Sequence, residues 1–208
     1  MVNSSKTSLN TKYDTILSQE RAWARGVAQA AMKPKPITVW EVMIPIFILF
    51  NYMRLKGARE VFAQNLLYTK KLALEAALAM VKNALSREDA MSPIKEETKD
   101  LVTSVKDGIY SEEIRQKQLK EIDLLIDHYS RLLKAEGENY AALLANAYWS
   151  QKDYEAFLVR LKGAESEVNL AAVETLGSQA DREMLSRIER ASDRIRLAGA
   201  QRIFEPTN

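Results

Sequence analysis

Apolar residues return every three or four positions along most of this chain, the spacing of one face of an α-helix. The first run, from about Leu9 to Met32, places Tyr13, Ile16, Leu17, Ala24, Val27, Ala28 and Ala31 together. From Ala58 to about Ser86 the stripe is Phe62, Leu66, Thr69, Ala73, Ala76, Met80 and Ala84, broadened by Leu67, Leu74, Leu78, Val81 and Leu85. Heptad spacing recurs in Leu119, Ile122, Ile126, Tyr129 and Leu133, and again in Met184, Ile188, Ala191, Ile195 and Ala198. No alternating β-branched run is bounded by turns, so no strand is expected. Only 7 Gly and 5 Pro occur in 208 residues, about half the usual share, which leaves room for few turns. These features predict an all-α, elongated, coiled-coil-like helical bundle.

Local signals divide the helices. Ser92-Pro93 reads as an N-cap followed by a first-turn proline, with Gly108 as the stop. Ser111 is expected to cap the next helix, which runs to Gly137. Helices over about Asn139–Ser150 and Asp153–Leu176 follow, and Gly177-Ser178 precedes the last one. Leu144, Ala145, Tyr148, Tyr154, Leu161 and Ala164 sit near tetratricopeptide positions. Phe157 stands where a small residue belongs, however, and no second copy exists, so an ordinary helical hairpin is expected.

Little in the sequence suggests catalysis. The absence of Cys removes thiol nucleophiles and thiolate metal sites. The single histidine, His128, excludes the paired Glu-x-x-His motifs of di-iron bundles, and Ser130 cannot share its helix face. Asp123 and Asp127 at i, i+4 read as solvated surface, as do Glu96, Glu97 and Asp100. No phosphate-cradling glycine loop is present. No catalytic, cofactor-binding or metal-ligating residue is expected. The net charge is +2, and Asp181, Glu183, Glu189 and Asp193 are interleaved with the C-terminal arginines, which argues against nucleic acid.

The most distinctive stretch is Ile37–Met53. Lys33-Pro34-Lys35-Pro36 ends the first helix. Thr38 and Glu41 then form a capping box, and Val42 to Phe50 is apolar on every face. That core covers about 14 Å at 1.5 Å per residue, too little to cross about 30 Å of hydrocarbon. Trp40 and Tyr52 flank it as interfacial anchors, and Ile44, Ile46, Phe47, Ile48, Leu49 and Phe50 are its expected lipid-contacting residues. Lys33, Lys35, Arg54, Lys56 and Arg59 bracket it as contacts for anionic headgroups. Four cations (Arg21, Arg25, Lys33, Lys35) precede it and five (Arg54, Lys56, Arg59, Lys70, Lys71) follow. This near tie suggests that both flanks stay on one side. Pro45 would bend the helix into a shallow or re-entrant wedge.

The expected organisation is an amphipathic helix plus membrane wedge over 1–57 and a helical bundle over 58–208. The expected role is a non-enzymatic scaffold or adaptor on the cytoplasmic side of a membrane. Its heptad helices would pair within the chain, with a second copy or with a protein partner. Two other readings stay open. The apolar helix could form the core of an obligate soluble oligomer, or the bundle could open around lipid.

Overall fold

The computed structural model describes residues 2–32, 58–104, 110–177 and 180–205, and these contain seven helices and no strand. They are α1 (Val2–Ala31), α2 (Ala58–Asn83), α3 (Arg87–Ser104), α4 (Glu112–Lys134), α5 (Tyr140–Ala147), α6 (Gln151–Leu176) and α7 (Arg182–Phe204).

Side-chain caps start most of them. Ser111 Oγ accepts from the Ile114 N–H at 3.3 Å, as its position before α4 predicts. Asn139, Ser150 and Asp181 serve α5, α6 and α7 in the same way, accepting from Ala142, Asp153 and Met184. Each cap satisfies an N–H that has no partner within its helix. α3 departs from the expected start at Ser92-Pro93. It begins six residues earlier, where Ser86 Oγ accepts from the Asp89 N–H at 3.1 Å and donates to the Asp89 carboxylate at 2.7 Å. Pro93 therefore lies inside the helix, where it leaves the Asp89 carbonyl without an i+4 donor. The reciprocal Ser86–Asp89 pair and the burial of Ala90, Met91 and Ile94 on one face offset that loss.

α1 and α2 pack antiparallel. Arg25 pairs with Glu60 at 3.4 Å near one end, and Lys82 reaches Asn10 at 3.5 Å near the other. α7 also runs against α1, its Arg187 donating to the Ala31 carbonyl at 3.1 Å. α6 runs antiparallel to α4, with Ser111 beside Thr175 and Lys117 on Glu167 at 3.0 Å. The predicted stripes meet in one core. Ile16 and Val27 of α1, Phe62 of α2, and Ile122, Ile126, Tyr129 and Leu133 of α4 are fully enclosed. Met184, Ile188 and Ala191 close it from α7. The heptad stripes are thus occupied within the chain, and α1 shares a core with the helices that follow residue 58.

The second stripe ends sooner than its pattern implies. α2 stops at Asn83, Ala84 turns left-handed (φ 52°), and Leu85 is 40 % exposed. Gly137 also has positive φ, and a Cβ there would meet the Leu143 amide nitrogen at 2.8 Å. Gly137→Ala should cost about 1–3 kcal/mol. Ala84→Gly should stabilise by up to about 1 kcal/mol, because it relieves left-handed strain. Urea unfolding midpoints for the two variants should move in opposite directions.

Candidate functional site: a buried charged centre and its cleft

Of the residues expected to meet lipid, Trp40, Ile44, Ile46, Phe47, Ile48, Leu49, Phe50 and Tyr52 lie outside the described residues. So do the flanking cations Lys33, Lys35, Arg54 and Lys56. Arg59 is the one that is described, exposed in the first turn of α2. Among the described residues no helix is long and apolar enough to cross a membrane, and no group of His, Asp or Glu is placed to hold a metal ion.

The candidate residues on α4 resolve differently. Asp123 and Asp127 clamp the same Arg87 guanidinium on the surface. His128 is buried, sharing a 2.7 Å hydrogen bond between Nδ1 and the Tyr148 hydroxyl. Its ring stacks on Phe157 at 4.3 Å. Burial holds the imidazole pKa well below its ordinary value, and the nearby cations Lys70 and Arg196 add to the effect. Ser130 Oγ is buried without a hydrogen-bond partner, so no Ser–His pair forms. His128 is part of the packing.

Sequence reasoning missed a set of charged side chains that point inward. Glu20 falls between Ile16 and Trp23 on α1, and Lys70 between Leu67 and Ala73 on α2. On α4, Gln118, Glu121 and His128 run beside the heptad stripe, in phase with Leu125 and Leu132. Glu165 of α6 and Arg196 of α7 occupy equivalent inner positions. The available signal was phase: each of these charges sits at a three- or four-residue interval from core residues of its own helix.

Their geometry is that of a compact network. The Arg196 guanidinium donates two parallel hydrogen bonds to Glu165, at 2.7 and 2.6 Å. The two side chains are 8 % and 23 % exposed. Lys70 Nζ lies 3.5 Å from the Glu20 carboxylate. Both cations also lie over the Trp23 ring, Lys70 at 4.4 Å and Arg196 at 4.7 Å from its centroid. Burial pushes the Glu165 carboxyl up, but the Arg196 charge outweighs this and holds it below the ordinary carboxylate value.

Glu121 is the exception. It is 7 % exposed and has no hydrogen bond or ion pair among the described residues. Burial, reinforced by the Glu165 charge, pushes its carboxyl up to about 8. Beside it opens a cavity of about 100 Å³ between α2 on one side and α6 and α7 on the other. Gln118 and Glu121 of α4 also line it. A smaller cavity of about 60 Å³ is lined by Glu20, His128, Tyr154 and Arg196, and Trp23 and Lys70 contribute to both.

The fold and this centre define an all-α protein with a buried charged network beside a small cleft, and no assembled nucleophile or metal site among its described residues. No protein-family model matches the chain, no curated protein matches it, and no solved structure matches it.

The charged centre yields two expectations. Glu121→Gln should be more stable than wild type above pH 8, and the advantage should shrink as pH falls from about 8 toward 4.5. A carboxyl with a raised folded-state pKa keeps its proton across that window while the unfolded chain loses it. Its favourable contribution therefore fades as pH rises, by up to about 1.4 kcal/mol per unit. Urea unfolding across pH would reveal the trend, and a pH-independent difference would refute it. Arg196→Met strands the Glu165 carboxylate and should cost about 3–5 kcal/mol, much of it recovered by adding Glu165→Leu. A double-mutant cycle of thermal unfolding measures both effects.

Proposed function

We propose that this chain is a non-enzymatic helical scaffold or adaptor, held on the cytoplasmic side of a membrane by a monotopic or re-entrant wedge over residues 37–53. The described helices would form the bundle that the wedge anchors. The observation that carries this reading is the antiparallel packing of α1 on α2. With Arg25 paired to Glu60, the chain leaves α1 and enters α2 at the same end of the helices. An apolar segment that joins two helices at the same end could dip into lipid and return without parting them. Burial of Ile44, Phe47, Ile48 and Phe50 at about 1.5–3 kcal/mol each would supply the binding energy. Arg59, with the cations on the other flank, would add about 1 kcal/mol apiece near an anionic leaflet.

The cavities beside the charged centre, about 100 and 60 Å³, are too small to enclose an acyl chain, which weakens the case for lipid carriage. An obligate soluble oligomer is the competing reading. Side chains such as Trp149, at 97 % exposure, and Val159, at 71 %, leave apolar surface for protein contact.

Wild type should pellet with membranes, resist a high-salt wash and be released by detergent. Phe47→Glu combined with Ile48→Glu should move the protein to the supernatant. A double variant that stays in the washed pellet would refute the wedge. So would wild-type protein that remains soluble at a defined multiple of 23.6 kDa, which is the oligomer outcome.

A further inference from the structure

Among the described residues, the three most exposed large apolar side chains all lie on α6 or beside it. They are Trp149 at 97 %, Val159 at 71 % and Leu170 at 59 %. Single apolar residues on a surface need no explanation, but these are ordered. Trp149 directly precedes Ser150, the N-cap of α6. Val159 and Leu170 fall on one line along the helix, opposite the buried Phe157, Leu161 and Val168. Lys152, Ala156, Gly163 and Glu174 share that line, and all are exposed. The line has the spacing of a coiled-coil seam, left open by the chain's own helices.

Gly163 sits at its middle. Glycine inside a helix costs about 1 kcal/mol relative to alanine. Packing within the chain does not require it, because a Cβ at Gly163 would meet nothing within 4 Å. A bare backbone on an outward seam does allow a second helix to approach to about 8 Å.

Charge identifies that second helix as another copy of α6. Lys152 and Glu174 lie eleven residues before and eleven after Gly163, about 16 Å on either side at 1.5 Å per residue. Lys152, Arg160 and Glu174 make no ion pair or hydrogen bond among the described residues. Two copies laid antiparallel about a twofold axis at Gly163 set Lys152 opposite the partner's Glu174, and Ala156 opposite the partner's Leu170. Arg160 then comes beside the partner's Glu167 on the same flank of the seam. Glu167 remains 52 % exposed while bonded to Lys117. The symmetry doubles every such contact. Parallel pairing would instead place Lys152 on Lys152 and Glu174 on Glu174, like charge on like, so the charges select the antiparallel arrangement.

We propose that α6 is the seam of an antiparallel homodimer, with Gly163 on the twofold axis and Val159 and Leu170 as its apolar contacts. Trp149 falls level with the end of the partner's α6 at Gly177. The seam does not depend on the membrane wedge, since an anchored chain and a soluble one can both pair through it. A soluble dimer would refute the wedge and leave the seam standing.

The chain has no Cys, so a single introduced thiol reports on one position. In the purified full-length protein under mild oxidation, Gly163→Cys should form a disulfide-linked species of twice 23.6 kDa. It should do so at least about tenfold faster than Lys99→Cys, an exposed control on α3. Lys152→Cys alone should stay monomeric, yet link to Glu174→Cys when the two proteins are mixed. In the Gly163→Cys background, Val159→Glu should slow linking to the control rate. Lys152→Glu should also slow it, and adding Glu174→Lys should restore it, because the swap re-forms the pair across the axis. Every substituted position is exposed, and circular dichroism confirms that each variant keeps its helices. Linking of Gly163→Cys no faster than the control would overturn the proposal and leave the face to a different partner. Self-linking of Lys152→Cys, or a charge swap that fails to restore the rate, would overturn it too.

Discussion

Five helices each send a charged side chain into the centre of the core: Glu20 from α1, Lys70 from α2, Glu121 from α4, Glu165 from α6 and Arg196 from α7. Taking five such groups out of water is expensive, and the attraction between them repays the cost only where geometry is close and hydrogen bonds are complete. The bidentate Arg196–Glu165 pair meets that condition, and Lys70 finds both a carboxylate and an aromatic face. A one-turn slip of any of these helices would carry its charge away from its partners and leave another buried and bare. The network therefore penalises wrong registers more than it rewards the right one, a kind of specificity that apolar stripes alone supply poorly.

The same network explains why the interior is not evenly packed. Toward the C-terminal half of α2, the buried alanines Ala73, Ala76 and Ala77 let neighbouring helices approach closely. One to three turns earlier, Asn65, Thr69 and Lys70 line the cleft that separates α2 from α6 and α7. Trp23 and Lys70 form a wall common to both cavities. The cleft thus follows from where the inward charges fall along α2. Its unmatched carboxylate follows from the count of charges around it.

The helices were legible because burial imposes a period and capping imposes residue types. The stripe through Ile122, Ile126, Tyr129 and Leu133 is enclosed as its spacing requires, and Ser111 caps as its position requires. The start of α3 was misread because Ser92-Pro93 is a strong local signal, while Ser86–Asp89 acts earlier and the burial of Ala90, Met91 and Ile94 depends on tertiary contact. The charged centre was not legible by composition, since Lys70 or Glu165 taken singly resembles any solvated surface residue. Only their phase with the core positions distinguishes them, and which charges then pair depends on how five helices come together. The apolar residues from Ile44 to Phe50 lie outside the described residues.

The inward turn of Lys70 also bears on the segment between α1 and α2. Lys70 is 4 % exposed, held by Glu20 and the Trp23 ring, so it is not one of the cations facing solvent after that segment. Without it, Arg21, Arg25, Lys33 and Lys35 precede the apolar stretch, and Arg54, Lys56, Arg59 and Lys71 follow. The flanks are then equal in charge, with no asymmetry to draw them to opposite sides of a bilayer. Arg25 and Glu60, one on each side of the segment, already meet across the helix pair at 3.4 Å. Chain crossing would have to separate partners that the antiparallel packing holds together, whereas insertion from one side leaves that packing and the charged centre beneath it intact.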